Sequence, residues 1–330
     1  MGRGRGFGYQ DAGGDGISDP QTLARIRELA IPPAWRDVWI CADPAGHLQA
    51  TGVDAAGRKQ YLYHAAWRQR RDREKFSRML EFGAALPRLR RAVARDLRAR
   101  GLGRERVLAC AVRLIDVGLF RIGGEEYADE GGGLGLTTLS RRHVTVRGGV
   151  MHFDYPAKSG VRRVQDVVDA DCVRVIRALR DRSGRPAKLL AFKDGKRWVG
   201  ARADDVNAYL KDQIGEDFSA KDFRTWNATV LAATMLASGD LAPASNNAGK
   251  RAIDATVRGV SDTLGNTTAV ARRAYIDPRV FDRYRSGWTI APALPRGGAV
   301  GPRIRARLER AVIDLLGQDH DPDAVSRLDS

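Results

Sequence analysis

The stretch Val38-Trp-Ile-Cys-Ala-Asp-Pro-Ala-Gly-His-Leu-Gln-Ala-Thr-Gly-Val-Asp-Ala-Ala-Gly-Arg-Lys-Gln-Tyr-Leu-Tyr63 decides the fold class. It holds three extended runs: Val38 to Cys41, Leu48 to Val53 and Gln60 to Tyr63. Two turn-rich pieces separate them, Asp43-Pro44-Ala45-Gly46 and Asp54-Ala55-Ala56-Gly57. Short β-prone runs punctuated in this way predict a small antiparallel sheet with hairpin turns. In the last strand Lys59, Tyr61 and Tyr63 share one face, because side chains alternate along a strand. Upstream, Thr22 to Ala30 has a helical pattern that Ile31-Pro32-Pro33 stops. Residues 1–19, rich in Gly, Asp and Arg, read as a flexible lead-in.

Downstream the period changes to that of a helix, and the charge changes with it. Residues 58–104 carry 15 Lys or Arg against four Asp or Glu, which is +11 of the chain's net +16. The run crosses an expected junction near Gly83 to Pro87, beyond which Leu89, Val93 and Leu97 form the apolar stripe of a helix from Arg88 to Arg100. The expected architecture is α+β. It has an N-terminal β-sheet domain over 20–84 and a larger, mostly helical domain over 88–330 that carries its own small hairpins.

A chain of 330 residues has room for two cores. Its hydrophobic fraction of 43% and charged fraction of 29% are those of a soluble globular protein. A net charge of +16 predicts attraction to a polyanion, through counterion release where that polyanion is nucleic acid. No apolar run reaches the length of a spanning helix, and the N-terminus lacks a signal-peptide core, so a membrane location is not expected. Cys41, Cys110 and Cys172 are odd in number and far apart, as in reduced cytoplasmic proteins. With the five histidines they form no zinc-like spacing, so no metal is expected.

The second domain contains several cations set apart from the basic run. Arg121 follows a buried-helix pattern, Arg106 to Phe120, and is either tethered to a carboxylate such as Glu125 or Glu126 or directed at an anion. Extended pieces follow at Leu136–Leu139, His143–Val146 and Val150–Tyr155. The turn Pro156-Ala-Lys158-Ser-Gly160 puts Lys158 at a hairpin tip, where a lysine ordinarily serves solubility. Ser219-Ala-Lys221-Asp222 is a capping box that opens a long helix. Lys221 and Arg224 are three apart, so they share a face at its start, where dipole and free amides favour an anion. Last comes Leu264-Gly-Asn-Thr-Thr-Ala-Val-Ala-Arg-Arg-Ala-Tyr-Ile-Asp-Pro278. Gly265 can end one helix, Thr267 or Thr268 can cap the next turn, and Asp277-Pro278 starts another helix. Tyr275 therefore ends a helical turn between two breaks. Alone it reads as one tyrosine on an amphipathic helix; with the cations it suits phosphoryl transfer, a phenol attacking phosphorus while fixed donors hold the developing charge.

Five fragments in this order resemble the type IB DNA topoisomerases, in particular the small bacterial and poxvirus enzymes. They are Gly57-Arg-Lys-Gln-Tyr-Leu-Tyr63, Leu119-Phe-Arg-Ile-Gly123, Pro156-Ala-Lys-Ser-Gly160, Lys221-Asp-Phe-Arg-Thr225 and Arg272-Arg-Ala-Tyr-Ile276. The resemblance spans about Ala30 to Pro278. It implies a C-shaped clamp around double-stranded DNA, and an isomerase that relaxes supercoils without ATP, metal or other cofactor. Tyr275 would form a 3′-phosphotyrosyl bond, Arg121 and Arg224 would bind the nonbridging oxygens, and Lys158 would protonate the leaving 5′-oxygen. Asn266 falls where the family has a transition-state histidine; it can donate a hydrogen bond but carries no charge. Arg58, Lys59, Gln60, Tyr61, Tyr63, Tyr127 and Lys221 would contact DNA. A monomer associated with the cytoplasmic nucleoid is implied. The rivals are a tyrosine recombinase, against which the strand-rich segment 37–63 argues, and a non-catalytic architectural DNA binder, which leaves Tyr275 without a purpose.

Overall fold

The computed structural model describes residues 2–3, 6–124, 133–184, 186–239, 246–295, 297, 301–317 and 325–327. Two compact units emerge, Met1–Ser77 and Arg78–Ser330.

In the first unit, helix α1 (Pro20–Glu28) starts as a proline at the first helical position allows, with the Asp19 carboxylate accepting from the Thr22 N–H at 2.7 Å. The three expected strands are present as β1 (Arg36–Ile40), β2 (Leu48–Val53) and β3 (Lys59–Tyr63), antiparallel in that order. The β2–β3 turn closes because Asp54 accepts the Ala56 and Arg58 amides at 2.9 and 3.0 Å and Gly57 takes φ +77°. Gln49 is buried, yet its amide is met by Asp43 O at 3.0 Å and Gly46 O at 2.7 Å, while its Oε1 accepts from Arg25 of α1 at 3.0 Å. That bond ties helix to sheet. Within the first nineteen residues, Asp11 accepts the Gly13 and Asp15 amides at 2.8 and 3.0 Å, and Ile17 N donates to Tyr9 O at 2.9 Å, which closes a compact loop.

Helix α2 (Ala65–Leu97) runs without interruption through Pro87, so the helix expected from Arg88 is its second half. A proline inside a helix costs about 3 kcal/mol. Here Phe82, Leu86, Leu89, Val93 and Leu97 are all buried on one stripe, and burying a large aliphatic or aromatic side chain returns roughly 1.5–3 kcal/mol each. Packing outweighs the local penalty.

The second unit is built around α6 (Ala220–Ser238), where twelve residues are buried, among them Phe223, Arg224 and Trp226. Around it lie α3 (Arg104–Gly118), α4 (Ala170–Asp181), α5 (Ala203–Ile214), α7 (Asn246–Leu264), α8 (Pro278–Arg285) and α9 (Pro302–Leu316). The Trp226 ring of α6 packs over Gly83 of α2: a Cβ there would stand 2.5 Å from it. A second three-stranded antiparallel sheet, β4 (Val144–Arg147), β5 (Val150–Pro156) and β6 (Arg162–Val168), sets Tyr155 opposite Arg163. The hairpin β7 (Ala191–Asp194) and β8 (Arg197–Gly200) forms around Asp194-Gly195. A further expectation fails. Leu136–Thr138 is a 3₁₀ turn rather than extended chain, because the Leu136 and Thr137 amides donate back to Arg121 O and Ile122 O, both at 2.8 Å, and the Thr138 hydroxyl sits on Gly135.

Part of the basic run is also spoken for. Arg90 pairs with Asp116 of α3 at 2.9 Å and with Glu309 of α9 at 2.6 Å, and Arg305 bridges the same two carboxylates at 2.5 and 3.1 Å. Both carboxylates are buried. Burial alone would raise the Asp116 carboxyl, but Arg305 and Arg90 hold it below its ordinary value. The C-terminal helix is thus locked to α2 and α3.

Candidate active site

The site assembles at the C-terminal end of α7. A helix end leaves carbonyls without intrahelical partners and carries the negative pole of the dipole. Gly265 takes φ +60°, Asn266 N donates to Ser261 O at 3.0 Å, and Gly265 N donates to Asp262 O at 3.2 Å. This is a Schellman ending, and it uses two carbonyls. The next three each accept from a different arginine. Arg163 donates to Thr263 O at 3.1 Å, Arg224 to Leu264 O at 2.7 Å, and Arg121 to Gly265 O at 3.0 Å. None of the three forms a salt bridge with a carboxylate among the described residues. Neutral oxygens hold three cations together and leave their charge in place.

Each arginine arrives from its own element. Arg224 is buried on α6 and also donates to Leu119 O at 2.8 Å. Leu119 presents that carbonyl from a left-handed turn, φ +55°, that ends α3. The following Phe120 is fixed against Phe153 at 4.7 Å, edge to face, so Arg121 leaves the core at its margin. Arg121 also donates to Asn266 Oδ1. That bond orients the Asn266 amide and leaves its Nδ2, like Arg224 Nε, buried without a described partner. Arg163 projects from β6 and is braced by Gln165, whose Oε1 accepts from Arg163 Nε at 2.6 Å and whose Nε2 donates to Gly118 O at 3.2 Å.

Tyr275 ends a π-helical turn, Ala271–Tyr275, in which Ile276 N donates to Ala271 O at 3.1 Å. Single π turns of this kind are frequent at functional sites. The preceding turn is capped by Thr267, and Asp277 caps α8 through the Arg279 amide at 2.9 Å, so the two expected breaks flank the tyrosine. The Arg224 guanidinium lies 5.4 Å from the centre of the Tyr275 ring. The Thr229 hydroxyl on α6 accepts from Asp277 N at 3.1 Å and lies 3.3 Å from Tyr275 O. One helix therefore holds both the arginine and the backbone that carries the phenol.

The electrostatics follow from crowding. Burial, then the neighbouring Arg121, pushes the Arg224 guanidinium down to about 10, with Tyr275 acting in the opposite sense. Burial also lowers Arg121, Tyr275 opposes it, and Arg163 adds to the lowering. Burial raises the Tyr155 phenol, against the pull of Arg163, Arg121 and Arg224. The site is an excess of positive charge, half out of water, that an anion relieves.

Of the expected chemical residues, Arg121, Arg224, Asn266 and Tyr275 come together. Lys158 opens a 3₁₀ turn at the tip of the β5–β6 hairpin, exposed, with no hydrogen bond or ion pair to a described residue. Lys221 and Arg224 do not form the expected pair over a helix start: Lys221 is exposed, while Arg224 is buried against Leu119 O and Leu264 O. Arg272 pairs with Asp254 at 3.0 Å, apart from the three-arginine cluster. In the first unit Arg58 and Gln60 are both tied to Asp54, at 2.8 and 2.9 Å. Lys59, Tyr61 and Tyr63 do share a face. Lys59 Nζ lies 6.0 Å from the Tyr61 ring, Tyr61 stacks on Tyr63 at 6.2 Å, and Tyr63 stacks on Trp67 at 4.5 Å. Tyr127, Glu125 and Glu126 lie outside the described residues. Sequence reasoning missed Arg163, whose only signal was its alternation with Gln165 on the inner face of β6, and Thr229, for which there was none.

Residues 64–287 match the family model of the catalytic core of eukaryotic DNA topoisomerase I, and residues 6–54 match that of the N-terminal domain of bacterial DNA topoisomerase IB. The chain is 29% identical over 271 residues to the DNA topoisomerase 1B of Acanthamoeba polyphaga mimivirus, an alignment that covers 80% of each chain. With two thirds of its length inside that catalytic core, the chain belongs to the type IB DNA topoisomerases and is an enzyme that isomerises DNA.

Proposed function

We propose that the protein relaxes supercoiled double-stranded DNA by transient cleavage of one strand through Tyr275. The phenol gives up its proton to water, its oxygen bonds to phosphorus, the bond from phosphorus to the 5′-oxygen breaks, and a 3′-phosphotyrosyl link is left beside a free 5′-hydroxyl. Lys158 gives a proton to the leaving oxygen from its hairpin tip. Arg121 and Arg224 hold the nonbridging oxygens, with Asn266 Nδ2 as a further donor. The covalent link retains the energy of the phosphodiester, so the 5′ end can rotate about the intact strand and religate without ATP or metal. The Lys59–Tyr61–Tyr63 face, with Gln60, Arg58, Tyr127 and Lys221, supplies DNA contacts, and the enzyme acts as a monomer at the nucleoid.

One observation carries this reading: Arg121, Arg224, Asn266 and Tyr275, drawn from positions up to 154 residues apart, converge on one helix end. Two buried donors there, Arg224 Nε and Asn266 Nδ2, are of the kind a phosphate oxygen satisfies. The test is Tyr275→Phe on supercoiled plasmid and on end-labelled nicked DNA, resolved on a denaturing gel. The wild type relaxes the plasmid in the presence of a chelator and forms a 3′-linked adduct. The variant binds DNA and does neither. Equal nicking by the variant would remove Tyr275 from the chemistry.

A further inference from the structure

Arg163 is not among the residues that the resemblance assigns, yet its geometry repeats theirs. Thr263, Leu264 and Gly265 are consecutive, and their carbonyls accept from Arg163, Arg224 and Arg121 in turn. Arg163 spends Nη2 on Thr263 O and Nε on Gln165, while Nη1 has no described partner. That nitrogen lies over Gly265, the residue before Asn266, 2.8 Å from where a Cβ would stand. The neighbour on the strand behaves differently: Arg162 is exposed and closes a two-bond pair with Asp154 at 2.8 and 2.6 Å. Of two adjacent arginines, one is neutralised at the surface and the other is held, unneutralised, beside the phenol's cluster.

Resting on the proposed phosphotyrosyl chemistry, we propose that Arg163 is a third phosphate-contacting guanidinium, supplying through Nη1 the positive charge that neutral Asn266 cannot. A phosphodiester carries one negative charge, and its two nonbridging oxygens gain charge as phosphorus becomes five-coordinate. A cation placed at their edge therefore does more for the transition state than for bound DNA. Arg163 governs the rate of cleavage and religation more than affinity. Its bond to Thr263 O fixes the distance to the other two arginines, because all three hang from one rigid helix end.

The experiment compares wild type, Arg163→Ala, Arg163→Lys and Arg163→Gln as full-length proteins, measuring plasmid relaxation, adduct formation on nicked DNA and thermal melting. DNA binding is measured with each change placed on Tyr275→Phe, so that no cleavage intervenes. Arg163→Ala should slow relaxation and adduct formation by about 10²-fold, the loss typical of one oxyanion donor, with affinity within about threefold. Arg163→Lys should recover at least tenfold of that loss. Arg163→Gln, whose amide ends where Nε stands and so can still meet Gln165 but carries no charge, should stay as slow as alanine. Glutamine as active as lysine would show that the site does not need the charge of Arg163 and overturn the inference, even if the alanine variant melts early. Alanine relaxing within twofold of wild type would overturn it as well, while a wild-type adduct leaves the parent reading standing. Absence of a wild-type adduct would overturn both.

Discussion

Arg224→Lys separates the shape of the site from its charge. In the wild type two different nitrogens of one planar group reach Leu119 O at 2.8 Å and Leu264 O at 2.7 Å, carbonyls that belong to α3's end and α7's end. A lysine presents one ammonium on a flexible stem and cannot span two acceptors as the fixed fork does. One buried carbonyl is left unmet, at a cost of about 1–3 kcal/mol. Losing the guanidinium above the Tyr275 ring adds about 0.5–1 kcal/mol. For a unit of this size each kcal/mol moves the melting temperature by about 2–4 °C, so a drop of about 3–15 °C is expected. On the proposed mechanism the same change displaces a phosphate donor and slows relaxation by roughly 10²–10³. Thermal denaturation and initial rates of plasmid relaxation measure the two effects on one preparation. A variant that melts within 1 °C of wild type and relaxes DNA within twofold would show that the fork at α7's end is neither structural nor chemical.

Asp116→Asn should cost about 3–5 kcal/mol, because it leaves two arginines facing one remaining buried carboxylate, Glu309. The Asp116 carboxyl is held below its ordinary value once folded, so its contribution is complete above the ordinary carboxylate range and is lost as pH falls through the folded value. Melting curves recorded from neutral to acid pH should fall more steeply for wild type than for the variant; parallel acid limbs would contradict this. Gly83→Ala gains helix propensity of about 1 kcal/mol but drives a Cβ to 2.5 Å from Trp226, and overpacking of that kind costs about 1–3 kcal/mol. A melting temperature a few degrees lower is expected, and an equal or higher one would show that α2 gives way freely.

Much of the local structure was legible. The strands β1 to β3 were placed to within two residues because Asp43-Pro44 and Asp54–Gly57 carry turn chemistry that acts over four residues. Gly265, Thr267 and Asp277 took the cap roles expected of them for the same reason. Pro87 was misread as part of a break because propensity is local, while the stripe from Phe82 to Leu97 that overrides it is satisfied by partners distant in sequence. Leu136–Leu139 was misread because its hydrogen-bond partners lie fifteen residues upstream, at Arg121 and Ile122.

By itself the sequence determined which residues start, stop and cap each element, the α+β class, and the family whose chemistry Tyr275 and its cations resemble. Only the tertiary structure decided where the cations go. Arg90 is drawn from a basic run into a buried network, Lys221 and Arg224 part company on one helix, and Arg163 joins Arg121 and Arg224 on three successive carbonyls. The reason is physical. Backbone preference and period are properties of neighbours along the chain, whereas an unpaired carbonyl at a helix end chooses its donor from whatever side chain packing brings within hydrogen-bond reach, here 40, 100 and 144 residues away.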